Sequence, residues 1–194
     1  MTEEEKIEFL LSRGVEEIIS EGALREKLRS GKPLRVKYGV DPTTGALHLG
    51  HYVALRKLRQ FQELGHKVIL LIGGFTARFG DPTDKLEARK LRSKEEVRKC
   101  ARSYLAQAGK VLDLRKVEVK DNSEWFDKMK LEEFLQLLSH FTHARLIERD
   151  MFQQRMAKNK PIRAHELLYP VLQAYDSVML KADVAIGGTD QKFN

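Results

Sequence analysis

His48 and His51 stand three residues apart at the end of the run Tyr38–His51 (YGVDPTTGALHLGH), with Gly50 between them. At that spacing two side chains share one face of a helix, and the glycine leaves room for a ligand to approach the backbone. The run starts as a strand end, with Leu34, Val36 and Tyr38 alternating with Arg35 and Lys37, then turns through Pro, Thr and Gly. It enters a helix whose first turn carries the two histidines. A helix N-terminus offers free N–H groups and the positive end of a dipole, so the corner suits a phosphate. Neutral imidazoles placed there can donate hydrogen bonds to a phosphoryl group as its charge develops. The plain alternative is a polar pair on a wet helix face.

Other groups stand where a ligand could reach them. Gly73 and Gly74 follow the apolar run Lys67–Ile72 (KVILLI), and Asp81 comes shortly after, before Pro82. Asp81 reads either as an Asx-turn residue or as an anion for a substrate ammonium group. In His165–Leu180 (HELLYPVLQAYDSVML), Tyr169, Gln173 and Asp176 fall at i, i+4 and i+7 on one helix face, while Leu172 and Tyr175 point elsewhere. Pro170 fits best in a first turn, which puts the start of that helix at about Leu168–Tyr169. The stripe reads as the wet side of an amphipathic helix, or as a pocket wall whose carboxylate needs a partner once buried. Gly187 to Gln191 (GGTDQ) leaves the strand-like run Ala182–Ile186, and a carboxylate there is placed for a ribose hydroxyl.

Hydrophobic periodicity outlines the frame that must hold these groups. Thr2–Gly14 predicts a short amphipathic helix with Ile7, Phe9, Leu10 and Leu11, and Val15–Leu28 a second, interrupted near Gly22 and stopped by Gly31-Lys32-Pro33. Helix His51–Leu64 turns Val53, Leu55, Leu58, Phe61 and Leu64 to a core and Arg56, Lys57, Arg59 and Gln60 to solvent. With the strands on either side it makes a βαβ unit, hence parallel pairing. Asp84–Arg92 is a dense charge run expected as a solvated loop, and Ser93-Lys94-Glu95-Glu96 caps a helix reaching Ala108. Its basic face (Arg98, Lys99, Arg102) reads first as an ordinary wet one and second as a surface near RNA. Lys116–Lys120 alternates as a strand; Trp125 and Phe126 lead into a helix over Leu131–Arg149 with Phe134, Leu135, Leu138, Phe141 and Leu146 on its apolar side; Met151–Lys160 is polar and basic until Pro161 breaks it. The expectation is one α/β domain over residues 1–194. It is a Rossmann-like parallel sheet flanked by helices, with a helical insertion at residues 110–160 between its halves.

Composition narrows the function classes. The chain has 194 residues, 42% of them hydrophobic, enough for one sizeable core. Its 35 Lys and Arg against 28 Asp and Glu give a formal charge of +7, a modest preference for an acidic partner such as RNA. Cys100 is the single cysteine, which excludes a disulfide framework and a cysteine-based zinc site within one chain. The acidic opening MTEEEKIEFL has no apolar core of a signal peptide, and no apolar run approaches membrane-spanning length, so the cytoplasm is the default.

The order strand, GVDPT, LHLGH resembles the HIGH signature of class I aminoacyl-tRNA synthetases. Together with LRKLRQFQELGHKV, GDPT, ELLYPVLQAYDSV and GGTDQKFN it is similar to bacterial tyrosyl-tRNA synthetases over nearly the whole chain. The resemblance implies adenylation of L-tyrosine by ATP, supplied as its Mg2+ complex, and transfer to tRNA(Tyr). No tightly bound cofactor, resident metal, DNA or membrane is implied. Thr43, His48 and His51 would be the catalytic, phosphate-holding residues; Gly39, Asp41, Gly50, Gly188 and Asp190 would complete the ATP site, with Gly50 under the adenine and Asp190 on the ribose. Lys37, Tyr38, Gly39, Asp41, Asp81, Tyr169, Gln173 and Gln191 would surround the tyrosine, and Asp176 would accept from its phenol. Discrimination against phenylalanine would rest on polar groups left unpaired, an effect for which this enzyme is the standard example, at roughly 10⁵-fold. The family also implies a homodimer, here through residues 125–149.

Two departures qualify the resemblance. Lys37 stands where many members have a tyrosine that bonds the phenol, and a lysine ammonium cannot accept such a bond. The lysine-rich KMSKS loop and the anticodon-binding region lie past Asn194 in the family, which would leave activation by this fragment impaired. Rival readings are a tryptophanyl-tRNA synthetase, a small nucleotidylyltransferase with an H-x-G-H corner, and a non-catalytic RNA-binding module derived from a synthetase.

Overall fold

The computed structural model describes residues 2–43, 45–81 and 92–192. Residues 84–91 of the charge run lie outside these, as do Pro82, Thr83, Phe193 and Asn194. Thr2 opens the chain with a reciprocal cap. Its hydroxyl accepts from the Glu5 N–H at 3.2 Å, and the Glu5 carboxylate accepts from the Thr2 N–H at 2.6 Å. Helix α1 (Glu3–Ser12) buries Ile7, Leu10 and Leu11. The second helix, expected from Val15, begins only at α2 (Glu21–Arg29), because Ser20 takes a left-handed φ of 61° that ends the preceding loop; Gly22 lies inside the helix and does not interrupt it.

Strand β1 (Arg35–Val40) feeds α3 (Leu49–Glu63), and β2 (Lys67–Ile72) follows after Gly65, which adopts φ +85° at the helix end. The short α4 (Thr76–Phe79) comes directly off β2. Helix α5 (Lys94–Ala108) is opened by Ser93 and Glu96 in the expected capping box. Then come β3 (Val117–Asp121), α6 (Ser123–Phe126), α7 (Leu131–Leu138), α8 (His143–Ile147), α9 (Asp150–Ala157), α10 (Ala164–Met179) and β4 (Val184–Ile186). The four strands form one sheet in the order β3-β2-β1-β4, every neighbouring pair parallel. This is the Rossmann-like α/β architecture expected. β3 pairs with β2 inside the span 110–160 that was read as insertion, so the uninterrupted helical run is α6 to α10, between β3 and β4.

Alternation along the strands gives the sheet two unequal faces. Val36, Val40, Val68, Leu70 and Ile72 meet α1, α2, α3 and α5 in the main core, whereas Ile69 and Leu71 meet Leu180 and Trp125 on the other side. Helix α3 corrects the expected pattern: Val53 is 56% exposed, while Lys57 and Gln60 are buried at 8%. The reason for Lys57 is local, since its ammonium donates to the Leu10 carbonyl at the end of α1, at 2.8 Å.

The helical run differs from expectation in three ways. Leu131–Arg149 is two helices, because the Thr142 hydroxyl accepts from the Arg145 N–H at 3.3 Å and starts a new one. The polar, basic stretch from Met151 is mostly α9, which buries Phe152 and Arg155. Helix α10 starts at Ala164, before the proposed Leu168–Tyr169, and carries Pro170 inside it. Its first turn survives the proline because it is anchored from outside. Arg155 donates to both Glu166 carboxylate oxygens, at 2.8 and 3.0 Å, with the pair almost wholly buried, and the Arg163 N–H donates to the same carboxylate at 2.8 Å.

Candidate active site

The expected site residues gather at the C-terminal edge of the sheet, where parallel α/β sheets bind ligands. Asp41 and Thr43 follow β1, Gly73 and Asp81 follow β2, and Gly188, Asp190 and Gln191 follow β4. Gly39 and Tyr38 are in β1 itself, with Gly39 exposed and open to approach from that edge.

At the mouth, His48 is the N-cap of α3 and His51 its third residue. The Nδ1 of His48 accepts from the Gly50 N–H at 3.1 Å, and the Nδ1 of His51 accepts from the His48 N–H at 3.3 Å. A neutral ring so bonded carries its proton on Nε2 and can donate from it. The ring centroids are 3.9 Å apart. Burial, then the neighbouring His48, holds His51 below the usual histidine range, which favours the neutral donor form. A Cβ on Gly50 would come within 3.0 Å of the His48 ring, so glycine lets that ring fold over the helix end. The sequence did not point to Tyr104 on α5. It is buried, its hydroxyl is 3.5 Å from His51 Nε2, and its ring meets the imidazole edge-on at 86°.

Behind the mouth, a chain of buried polar groups runs from β1 to α10. The Tyr169 hydroxyl donates to Asp41 Oδ2 at 3.0 Å, and the Thr76 hydroxyl to Asp41 Oδ1 at 2.7 Å. Asn122, fully buried just after β3, donates to Thr76 Oγ1 at 3.0 Å and to Asp176 Oδ2 at 3.2 Å, and accepts from the Phe75 N–H at 2.8 Å. The Trp125 indole N–H donates to Asp176 Oδ1 at 3.0 Å. Trp125 and Phe126 were expected on a subunit surface, and the structure turns both inward: Phe126 is buried and stacks near Tyr175. Burial pushes Asp176 up to about 7, against the opposing pull of Lys37, Asn122 and Trp125. Burial, then Asp41, raises Tyr169 well above the ordinary phenol range, so it stays a neutral donor.

Lys37 reaches from β1 to α10. Its ammonium donates to Ser177 Oγ at 2.7 Å and to the Gln173 carbonyl at 3.3 Å. At the far end, the Gln191 amide donates to Asp81 Oδ2 at 3.0 Å and Asp190 Oδ2 at 2.8 Å, tying two of the expected ligand carboxylates together. A Cβ on Gly188 would sit 2.3 Å from Asp190 Oδ1, and one on Gly73 would sit 1.9 Å from Asp41 Oδ1, so both glycines admit a carboxylate against the backbone. Sequence reasoning missed Thr76, Asn122 and Tyr104. Asn122 and Thr76 were findable from their place just past two strand ends; Tyr104 carried no such signal.

An H-x-G-H corner on a helix N-terminus, set over a parallel sheet beside a pocket lined with carboxylates, defines a nucleotide-handling domain of the class I synthetase kind. The family model for tRNA synthetases class I (W and Y) matches residues 29–194, and the chain belongs to that family. Among its relatives is a tyrosine–tRNA ligase of Xanthomonas axonopodis pv. citri (strain 306), 53% identical over 194 residues, all of this chain and 48% of that one. Another, from Dehalococcoides mccartyi, is 52% identical over 191 residues, 98% of this chain and 48% of the relative. The chain thus spans about half the length of these relatives. A C-terminally truncated mitochondrial tyrosyl-tRNA synthetase of Aspergillus nidulans superposes with a TM-score of 0.81 at 25% identity, covering 96% of this chain and 57% of that one. The Archaeoglobus fulgidus tyrosyl-tRNA synthetase complexed with L-tyrosine gives 0.79 at 26% identity, covering 98% and 56%.

Proposed function

We infer that this domain binds L-tyrosine and ATP, forms tyrosyl-adenylate and, within the whole enzyme, passes tyrosine to tRNA(Tyr). The observation that carries the reading is Asp176, a buried carboxylate with two neutral donors already on it, joined through Asn122 and Thr76 to Asp41 just past the end of β1. A phenol hydroxyl is the ligand group that suits such an acceptor, and a substrate without it would cover the carboxylate and leave its remaining acceptor capacity unpaired. The sequence identity to tyrosine–tRNA ligases supports the same substrate over tryptophan.

In the reaction, a tyrosine carboxylate oxygen attacks the α-phosphorus of ATP, and the bond to the bridging oxygen breaks, releasing pyrophosphate. ATP enters as its Mg2+ complex. No protein side chain bonds covalently, so this chain contributes positioning and charge stabilisation. Thr43 and the Nε2–H groups of His48 and His51 hold the phosphate oxygens as charge moves toward the leaving group. Gly39, Gly50 and Gly188 let the nucleotide lie against backbone, and Asp190 takes the ribose. Asp41, Asp81, Tyr169, Gln173 and Gln191 fix the ammonium and carboxylate of tyrosine. The working protein is a cytoplasmic homodimer on this reading, paired through residues 125–149.

Tyrosine at about 100 times its Kd should stabilise the domain by about 2.7 kcal/mol, a rise of several degrees in Tm, while phenylalanine at the same concentration leaves Tm unchanged. Equal shifts from both amino acids in a thermal melt would defeat the pocket assignment.

A further inference from the structure

Lys37 is 5% exposed, and a buried ammonium is costly unless its charge is matched. It rises from β1 on the face that holds Ile69 and reaches α10, where its hydrogen-bond acceptors, the Gln173 carbonyl and Ser177 Oγ, lie on either side of Asp176 in the helix. The groups that face Asp176 come from three directions. They are Lys37 and Asp41 from the β1 side, Asn122 and Trp125 from the start of the helical run, and Tyr169 from α10 itself. Of these only Lys37 brings positive charge. The influence is mutual: Lys37 pulls Asp176 down against its burial, and Asp176 holds Lys37 up against its own.

We propose that Lys37 is a positioning residue for amino-acid selection: pinned to α10 by Ser177 and the Gln173 carbonyl, its ammonium is the counter-charge that keeps Asp176 an acceptor for the substrate phenol. The proposal rests on the pocket being a tyrosine site. Lys37 then does from below what a phenol ligand cannot do alone. It holds more of the carboxyl in its charged form before tyrosine arrives, and so makes the pocket more hostile to phenylalanine, which would cover the charge and offer it nothing. Without Lys37 the carboxyl is held higher still, so at neutral pH most of it is protonated, and a neutral carboxyl tolerates an apolar ring at far less cost.

Trp125 is the only tryptophan of the chain and bonds directly to Asp176, so its emission reads the state of that carboxyl in the ligand-free protein. In the parent, emission should change with a midpoint near pH 7, and Asp176→Asn should abolish the transition. Lys37→Met should move the midpoint up by about one pH unit, and Lys37→Arg, which keeps the charge, should leave it near the parent value. Lys37→Gln removes the charge but keeps a donor for Ser177, and the same upward movement is expected of it. A midpoint equal to the parent's in whichever charge-free variant folds overturns the proposal. Measured alongside by calorimetry, the preference for tyrosine over phenylalanine should fall about fivefold in the charge-free variants at pH 7, as the ionised fraction of the carboxyl drops from about one half to about a tenth. A preference that stays at the parent value overturns the selection role. Shifted midpoints in the charge-free variants, with a parent that binds neither amino acid, would instead remove the tyrosine-site reading, and the selection role with it.

Discussion

Asn122 makes five ties with one side chain and its backbone: its side chain meets the Phe75 N–H, Thr76 and Asp176, its N–H the Ile72 carbonyl, and its carbonyl the Phe126 N–H. It reads in sequence as a polar residue opening a turn, which is why the pocket was legible there only as a list of acids and not as a connected chain. His48 and His51 were legible, because type and spacing alone place them on a helix end. The backbone bonds that fix both tautomers were not, since they depend on the N-cap geometry of one residue. These bonds give His51 two tasks that can be separated. His51→Ala in a version extended to the length of the matched relatives should lower the rate of ATP–pyrophosphate exchange by about 10²-fold, the usual effect of deleting one such donor, with tyrosine affinity hardly changed. Stopped-flow measurement of adenylate formation checks it, and loss of tyrosine affinity at preserved rate would show that the imidazole faces the amino acid instead.

The strands and the βαβ unit were readable because a six-residue apolar run between turn signals has few alternatives. Helix α10 was readable in type but not in extent. Pro170 argues for a start beside it, and the argument fails because a buried Arg155–Glu166 pair, 11 residues apart in sequence, holds the turn before the proline. No local pattern announces such a pair. The turn after β2 shows the same dependence on distant partners. A methyl group at Gly73 would collide with Asp41 Oδ1 and with Thr76 Oγ1, at 1.9 and 2.4 Å, whereas one at Gly39 would meet only Leu71, at 3.8 Å. Gly73→Ala should therefore destabilise the domain by about 1–3 kcal/mol and abolish the Tm rise from tyrosine, while Gly39→Ala leaves the ligand-free Tm near the parent's. Equal ligand-free melts for the two variants would show that the turn relaxes at no cost.

On the scale of the molecule, the inward turn of Trp125 and Phe126 moves the proposed pairing surface onto α7. There Leu131 is 73% and Leu135 57% exposed, beside the half-buried Phe134 and Leu138. An apolar helix face of this kind fits a two-fold contact better than open water. Because Leu135 is exposed in the protomer, Leu135→Asp should leave folding intact while costing several kcal/mol of association, giving a folded monomer in sedimentation at concentrations where the parent is a dimer. A monomeric parent would rule the pairing out.

The buried polar chain also carries a consequence in time. Its links join residues 35, 46, 54 and 128 positions apart, so it closes loops of very different length around one pocket. Contacts of large sequence separation form late and slowly, since loop closure must precede their reward. The Asp41–Tyr169 link cannot form until β1 and α10 have met across most of the domain. A refolding chain would thus regain its helices and much of its core well before it could recognise a ligand, and recognition would be among the last properties to return.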